Sequence, residues 1–508
     1  MYPNKSIFLY IFIFISSLSI LSQPIKRVEL IRANTLEGTT FLNEPIKKLI
    51  GNVVFRHQGV MMYCDSSYQF DNRNDLESFG HIKIIKSDSQ SIKGEHLNYF
   101  GDTRKAQIRG PNVILNKGTL FLYTTILDYN LETDIGNYYE NGRVVDKENV
   151  LTSRIGTFYK QKDLFVFVQN VVFTDKKYTI YTDTLEYNTE SKVVNFRGPT
   201  RIIGPEGTMN ALKGEYNSKT KQTNFSGRAV INYQEFTLTA DKIYYDQLGK
   251  KGIATGNVVV LSKKDSVTIY GDIGHYWGKE GKTKVFPNGL MRSISGKDTL
   301  YLSADTLLAI NDTVKKIKRM FGLKHVKVYY KSMQAVCDSL VSDIIDSTTT
   351  FYKDPVSWNS KNQMRGDTIK IFMKHKKVNK VVYGNKAFMI SQDTIGNYNQ
   401  AKCKRMIATF ENNKIKVVDL KTNAESVYYG LEGDTLVSGI NHATATDMQV
   451  RFSKQKVKKI AYYKKPKAEF IPFHEIKPED ERLIGFKLRE KERPTLEIVL
   501  GKHKNQVK

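Results

Sequence analysis

The chain has 508 residues, 40% of them hydrophobic, and its 78 Lys and Arg against 52 Asp and Glu give a formal net charge of +26. Three cysteines are too few for a disulfide framework, and the positive charge favours an anionic partner such as nucleic acid, a lipid headgroup or an acidic glycan. A globular chain of this length usually has roughly two to four domains, but no Pro- or Ser-rich linker interrupts residues 45–463.

The N-terminus is typical of an export signal. Lys5 precedes an apolar run from Ile7 to Leu21, which is shorter than the roughly 20 residues needed to cross a bilayer. We expect cleavage near Ser22 and Gln23; the alternative is that the run is retained as a membrane anchor. Export argues against nucleic acid as the anionic partner.

A short phrase then recurs about every 30 residues. In each copy a glycine starts a β-branched run, and an acidic residue follows some 14–16 positions later. The glycines are Gly51, Gly80, Gly110, Gly198, Gly227, Gly256, Gly322 and Gly384, and the acids are Asp65, Glu95, Asp183, Asp241, Asp272, Asp305, Asp338 and Asp367. Near residues 125, 154 and 212 the acidic position is replaced. The repeat predicts a stack of similar units whose function belongs to a long surface rather than to one pocket.

Within each copy the apolar residues alternate with a period of two, which predicts half-buried strands. Phe236, Leu238 and Ala240 share one face of such a strand. Only residues 482–493 suggest a helix. With strands of about 8–11 residues, one repeat holds two to three strands. The pattern therefore predicts an all-β, elongated fold.

No catalytic or metal-binding constellation is evident. The nine histidines show no metal-ligand spacing, and no nucleophile elbow is present. The segment 278–283 resembles a phosphate-binding loop but has Tyr276 where that loop needs a glycine. The recurring Asp could suggest glycosidase carboxylates, yet one copy per repeat fits a strand-end residue that accepts backbone N–H groups. We predict a protein that is not an enzyme and has no catalytic residue, metal or cofactor.

The cysteines are predicted to be small core residues. Cys64 and Cys337 occupy the same repeat phase but lie many repeats apart, too far for a disulfide. Cys403 is interpreted in the same way.

The first copy of the repeat resembles a known family. Residues 49–55, 62–66, 68–71 and 79–83 are similar to OstA-like (organic solvent tolerance) proteins, which resemble the LptA-type periplasmic bridge of lipopolysaccharide transport. The resemblance is close over about residues 25–180 and looser to about residue 460. It implies an antiparallel β-jellyroll folded into a V-shaped, open-edged trough, with lipopolysaccharide or lipid A as cargo in the Gram-negative periplasm. The chain is far longer than the familiar bridge proteins.

The resemblance also implies how the chain would act. The trough would shield the acyl chains of lipid A and pass the lipid toward the outer membrane, with Lys and Arg at its mouth on the lipid phosphates. The partners would be other bridge components joined by edge-strand addition, together with inner- and outer-membrane proteins, and not nucleic acid. The groove is predicted to be lined by Val53, Phe55, Ile82, Ile84, Val113, Leu115, Phe236, Leu238 and Val259.

The predicted organisation is a signal peptide (1–22), an OstA-like jellyroll segment (23–180), continuing jellyroll repeats (181–463) and a Pro-containing charged tail (464–508). The tail is either flexible or a docking arm for a membrane partner. Its anchors would be Phe470, Phe473, Leu483 and Phe486.

A competing hypothesis is an exported β-solenoid with parallel rungs and a filled interior. Such a protein would act as an adhesin, a glycan-binding protein or a structural protein.

Overall fold

The computed structural model describes residues 26–507 except 42–43, 296–297, 313, 315, 376, 413, 434 and 455. The predicted signal peptide lies outside the described residues. The chain forms two compact units: the first runs to residue 147 and includes 154–162, and the second comprises 148–153 and the chain from 163 onward. In the described part of the chain, no helix is both long and apolar enough to cross a membrane.

The first unit consists of short and long strands and one 3₁₀ turn at Lys160–Lys162. Its strands are β1 (Glu29–Arg32), β2 (Thr35–Phe41), β3 (Glu44–His57), β4 (Val60–Phe70), β5 (Asp75–Ser87), β6 (Gln90–Phe100), β7 (Lys105–Lys117), β8 (Leu120–Asn130), β9 (Ile135–Tyr138), β10 (Gly142–Asp146) and, after β11 of the second unit (Asn149–Ser153), β12 (Ile155–Tyr159).

The second unit continues the same pattern. Its further strands are β13 (Leu164–Thr174), β14 (Thr179–Asn188), β15 (Val193–Gly204), β16 (Gly207–Asn217), β17 (Gln222–Tyr233), β18 (Phe236–Asp246), β19 (Lys251–Ser262), β20 (Val267–Trp277), β21 (Lys282–Phe286), β22 (Gly289–Ser295), β23 (Asp298–Ala304), β24 (Thr306–Asp312), β25 (Ile317–Tyr330), β26 (Met333–Asp343), β27 (Thr348–Tyr352), β28 (Val356–Asn359), β29 (Asn362–Arg365), β30 (Thr368–Lys374), β31 (Lys377–Tyr383), β32 (Ala387–Gln392), β33 (Tyr398–Cys403), β34 (Arg405–Glu411), β35 (Lys414–Glu432), β36 (Leu436–Ser453), β37 (Lys456–Tyr463) and β38 (Lys467–Pro472).

Helical structure in the second unit is confined to short pieces. The helix α1 is Leu496–Leu500, and 3₁₀ turns lie at Gly278–Glu280, Phe473–Glu475, Glu490–Glu492 and Gly501–Asn505. The helix suggested for residues 482–493 is therefore wrong, because only its last turn is helical.

The strands are joined as consecutive hairpins. In the first unit each strand from β3 to β8 pairs with the next, and β1 and β2 lie end to end along β3. In the second unit β13 to β20 do the same, and further on one long strand pairs with two short ones, as β20 does with β21 and β22. Every pairing resolved among the described residues is antiparallel, which confirms the all-β antiparallel prediction and contradicts a solenoid with parallel rungs.

The long strands bend at a bulge near their middle. The register shifts between Ile50 and Val53 in the β3–β4 pair and between Thr239 and Lys242 in the β18–β19 pair. At the bulges a glycine and the residue after it adopt positive φ, as in Gly256 (φ 76°) and Asn257 (φ 47°). Each bulge redirects its strand and so divides it into two halves. We call the face of the sheet that carries the buried core residues the inner face and the opposite face the outer face. Six of the eight recurring glycines have positive φ at such a bend, whereas Gly322 and Gly384 do not.

In several copies of the repeat, the recurring acid packs against the bend of the following strand. A Cβ added to Gly256 would overlap the Asp241 carboxylate, and Asn257 Nδ2 donates to Asp241 Oδ2 at 2.8 Å. His81 and Asp65 form the same contact in the first unit, at 2.7 Å. In these copies the acid makes a structural contact, whereas no atom of Asp183 lies within 4 Å of a Cβ added to Gly198. The partners of the acid here, however, are side chains of bend residues rather than backbone N–H groups.

This packing predicts unequal costs for two glycine substitutions. We expect Gly198→Ala, where no atom lies within 4 Å of the new Cβ, to lower the free energy of unfolding by about 1–2 kcal/mol through its positive φ alone. Gly256→Ala must also displace Asp241, and we expect a loss of about 2–4 kcal/mol. Urea denaturation measures both, and equal losses would contradict the role given to the acid.

The cores lie on the inner faces. In the first unit one cross-strand row runs Phe55, Met62, Ile84, Ile92, Leu115 and Leu122, and each side chain is 0–2% exposed. The three cysteines are free and buried, as predicted, and burial raises the pKa of the Cys64 and Cys403 thiols to about 11 and that of Cys337 to about 12.

Candidate functional site

Six of the predicted groove residues lie in the core of the first unit. All are on the inner face and at most 1% exposed. They are Val53, Phe55, Ile82, Ile84, Val113 and Leu115. The structure brings them together in the buried core of the first unit.

Hydrogen bonds that involve recurring tyrosine hydroxyls cross the mouth of the interior, between the ends of opposite strands. Tyr99 and Tyr129, each the penultimate residue of its strand, reach His57 and Gln90 on the opposite strand ends, at 2.6 Å and 2.7 Å. The equivalent residues in the second unit are Tyr187, bonded to Asn149 at 3.3 Å, and Tyr216, bonded to Asp175 at 2.6 Å. We call these four hydrogen bonds the tyrosine clasps.

The clasp at Asp175 includes a buried charge. Burial alone would raise the pKa of Asp175. Hydrogen bonds from Tyr216, from the N–H groups of Lys177 and Tyr178 and from Lys221 outweigh this effect and hold the pKa below its ordinary value. Because the folded state lowers this pKa, the stabilisation is complete above the pKa of the unfolded state and is lost as pH falls through the folded value.

We therefore expect Asp175→Asn to lower the free energy of unfolding by about 3 kcal/mol at pH 7, since Lys221 loses its buried partner. The variant should also lose less stability than the parent between about pH 5 and pH 2. Urea denaturation across this pH range, with the exposed Asp183→Asn as the control, measures both effects. Parallel pH profiles for parent and Asp175→Asn would contradict the assignment.

The series of clasps stops after Tyr216. Tyr245 and Tyr276 hold the same position in β18 and β20, but no hydrogen bond among the described residues carries their hydroxyls across the mouth. They lie instead near Tyr233 and Glu206. Burial, followed by the charge of Glu206, raises the pKa of Tyr245 to about 12, and burial likewise raises the pKa of Tyr233. The Tyr233 ring packs edge-on against Phe236, with 5.3 Å between ring centroids.

The inner face opens at the same strands. The inner row of the second unit runs from Ile231 through Leu238, Val260 and Ile269 to Met291. Its two outer members are 5% and 6% exposed, whereas the three between them are only half-buried.

Small residues on the other half of the same strands widen the interior. The second inner row runs Phe225, Ile243, Ala254, Gly274 and Val285, so two strands in succession contribute almost no side-chain volume. The result is an apolar interior that meets solvent. We call it the β18–β20 opening, and define it by Tyr233, Phe236, Leu238, Tyr245, Val260, Ile269 and Tyr276.

The predicted residues Phe236 and Leu238 lie at this opening, but Val259 does not. Val260 pairs with Leu238, so Val259 points to the outer face. There it packs with Tyr270, Leu290 and the C-terminal segment. Three consecutive valines in β19 give no alternation from which the inner one could be chosen, and a shift of one residue reverses the face.

The chemistry of the opening is apolar inside and polar at its rim. Lys263 lies at the mouth, where its Nζ donates to Asn232 Oδ1 and to the Tyr233 carbonyl oxygen, each at 2.6 Å. In the part of the chain that the structure describes, no group of three or more His, Cys, Asp or Glu side chains could hold a metal ion. The arrangement fits a molecule with an apolar part and a polar or anionic end.

The C-terminal tail is bound to the strands of the second unit. Residues 477–507, which we call the strap, cross the outer face of the second unit. Gln400 Nε2 donates to the Glu481 carbonyl oxygen at 2.7 Å, and Leu483 N donates back to Gln400 Oε1 at 2.9 Å. Gln363 makes the same exchange with the Lys487 carbonyl oxygen and Arg489 N.

The predicted tail anchors behave differently from one another. Leu483 packs on the outer-face cluster around Ile440, and the Phe486 ring lies 5.9 Å from that of Tyr398. Phe470 and Phe473 are mostly exposed. Further along, the strap buries Val499, Leu500 and Val507 against the outer face of β20 and β22, directly behind the β18–β20 opening.

Sequence reasoning missed the tyrosine clasps and the strap. The penultimate tyrosines recur at residues 187, 216, 245 and 276, close to the 30-residue period, so their spacing was a visible signal. Their partners lie about 40 residues away, and no sequence pattern points to them.

Comparison with known proteins bears on the first unit and on the start of the second. A family model described as OstA-like protein matches residues 25–183 and 168–241. No curated protein matches the chain. The matched region contains the clasped rungs of both units, and it ends inside β18, within the opening. Over residues 25–241 the chain is therefore similar to the OstA-like protein family.

Proposed function

We propose that this protein binds lipopolysaccharide at the β18–β20 opening, shields the acyl chains of lipid A in its interior and passes the lipid toward the outer membrane. The observation that carries the proposal is the partly buried apolar row of Leu238, Val260 and Ile269 between buried neighbours. Similarity of residues 25–241 to the OstA-like family supports a transport function of this kind. Burial of each CH₂ group contributes about 0.8 kcal/mol, so even a few acyl carbons in the opening would be held.

The rim of the opening suits the other end of such a lipid. Tyr233, Tyr245 and Tyr276 offer phenolic hydroxyls, and Lys263 offers an ammonium group beside Tyr233. Charge-assisted hydrogen bonds from such groups to phosphate are the strong ones. In this proposal the clasped rungs serve as a rigid scaffold, and the lipid enters only where the clasps stop.

We further propose that the protein acts in the periplasm, without enzymatic activity, cofactor or nucleic-acid partner. Its partners would be other transport-bridge components and proteins of the inner and outer membranes. Strand edges support this: β37 pairs with β36 along one side, and β1 and β2 pair with β3. An added strand from a partner would continue such a sheet.

Native mass spectrometry of residues 23–508 with lipid A tests the proposal, with a phosphate-free glycan as the comparison ligand. We expect a stoichiometric lipid A adduct and none with the glycan. Absence of the lipid adduct, or binding of the glycan alone, would contradict lipid carriage.

A further inference from the structure

A separate cleft lies on the outer face of the second unit. Its volume is about 700 Å³, within the range of ligand-binding sites, and its floor is formed by β15–β18. Arg197, Lys213 and Lys242 point into it. Arg197 and Lys242 alternate along their strands with the buried Phe196 and Ile243, and Lys213 lies directly opposite Arg197 in the β15–β16 pair.

The cations in this cleft are arranged at a cost to the fold. Arg197 and Lys213 stand directly opposite each other in the β15–β16 pair, and like charges in that position are destabilising. Lys213 and Lys242 each face Ser226 from either side, so the three cations belong to one cross-strand row.

The three cations are poorly neutralised within the protein. The Arg197 guanidinium is 3.6 Å from Glu186 Oε1, and its side chain is 71% exposed. Neither lysine forms an ion pair with any residue that the structure describes. Like charges that lie opposite each other without a compensating ion pair are typical of a functional site.

The next row of the cleft carries different chemistry. Glu186, Asn195, Glu215, Asn224 and Tyr244 follow one another across β14–β18. Amide and carboxylate oxygens accept hydrogen bonds from hydroxyl groups, and the amides also donate. Tyr244 adds an apolar face of the kind that packs on carbon–hydrogen surfaces.

We propose that this cleft binds an acidic saccharide. A carboxylate or phosphate group of the sugar lies between Arg197 and Lys213 or beside Lys242, and its hydroxyls bond to Asn195, Asn224 and Glu215. The two glutamates repel ligands of uniformly high negative charge density, so a nucleic acid is disfavoured. This inference does not rest on lipid binding at the β18–β20 opening, because the two sites use different residues.

Titration calorimetry with an oligogalacturonate tetramer tests the inference, with maltotetraose as the uncharged comparison. We expect the acidic sugar to bind and maltotetraose to bind at least tenfold more weakly. Lys213→Gln combined with Lys242→Gln should weaken the acidic sugar at least tenfold, whereas Lys219→Gln, in the β16–β17 turn outside the cleft, should leave it unchanged. Equal binding of the two sugars, no binding, or full binding by the double variant would overturn the proposal.

A fold defect cannot imitate this result. Because Lys213→Gln removes a like-charge contact with Arg197, the ligand-free variant should be at least as stable as the parent in urea denaturation. A destabilised variant would show instead that Lys213 serves the fold, and this would overturn the assignment.

The acidic saccharide could be free or attached to a transported lipid. Lipid A, which lacks a saccharide chain beyond its diglucosamine, and rough lipopolysaccharide with an acidic core separate these sources. If the source is the lipid, the double cleft variant should weaken rough lipopolysaccharide at least threefold and leave lipid A binding unchanged. An equal effect on both lipids would overturn a saccharide role for the cleft. Failure of the lipid proposal alone would leave the oligogalacturonate result intact.

Discussion

Replacing Leu238 with aspartate is expected to abolish the lipid A adduct in native mass spectrometry while the protein stays folded. Leu238 is half-buried on the inner row of the β18–β20 opening, so a carboxylate there can stay hydrated in the empty protein. We expect the free energy of unfolding to fall by only about 1–2 kcal/mol. An acyl chain in the opening would have to strip water from that carboxylate, which we expect to weaken lipid binding at least 100-fold.

The matched control lies one residue away. Thr239 is on the same strand but pairs with Val259 on the outer face, so Thr239→Asp adds the same charge outside the interior. We expect it to bind lipid A like the parent. If Leu238→Asp retains the adduct, or Thr239→Asp loses it to the same extent, the opening is not the lipid site.

A substitution in the clasped rungs gives the opposite pattern. Ile84 is 1% exposed within the filled core of the first unit, and a buried aspartate there has no partner. Ile84→Asp should therefore lose folded structure by circular dichroism and not act as a selective binding variant. This contrast separates an open interior from a closed one in the same chain.

Removing the glutamine contacts of the strap is expected to destabilise the second unit strongly. Gln363 and Gln400, 4% and 3% exposed, each both donate to and accept from the strap backbone. Replacement by alanine leaves a buried N–H and a buried carbonyl without partners. We expect about 2–4 kcal/mol of lost stability for each single variant and more for the pair.

Hydrogen exchange distinguishes release of the strap from general unfolding. In Gln363→Ala the amide of Arg489 should lose protection, whereas strand amides of β15–β18, far along the sheet, should keep theirs. Gln392→Ala, on the neighbouring strand β32 and bonded only at 3.4 Å to a turn carbonyl, is the control and should cost less than about 1 kcal/mol. Unchanged protection at Arg489 in Gln363→Ala would show that the glutamine does not hold the strap.

The strap and the opening share the same strands. Val499, Leu500 and Val507 pack behind β20 and β22, and Lys502 pairs with Asp272, the acid of the β20 bend. His503 Nε2 bonds the Asn288 carbonyl oxygen at 2.8 Å. The strap thus braces the wall of the β18–β20 opening from its outer side. The strap variants should accordingly be compared with Leu238→Asp for lipid binding as well as for stability.

Local patterns in the sequence determined the fold class and the repeat. Alternation of period two indicated strands, because side chains on a strand point to opposite faces. Six of the eight recurring glycines marked a bend because positive φ favours glycine, and Asp65 and Asp241 marked the packing partners of two of these bends. The same alternation put Phe236 and Leu238 on one face of a strand, and the register of β18 in the structure agrees with this.

Only the tertiary structure decided where the interior is closed and where it is open. Tyr216 bonds Asp175, whereas Tyr245, in the same strand position, bonds no described residue across the mouth. Whether a tyrosine forms a clasp depends on the side chain on the opposite strand end, about 40 residues away in the chain. Val259 faces outward because a bulge sets the register of its strand. The strap is held by glutamines more than 80 positions from their partners. Sequence periodicity reports the face of each strand. Closure of the interior by the tyrosine clasps and covering of the outer face by the strap depend instead on contacts between segments far apart in the chain.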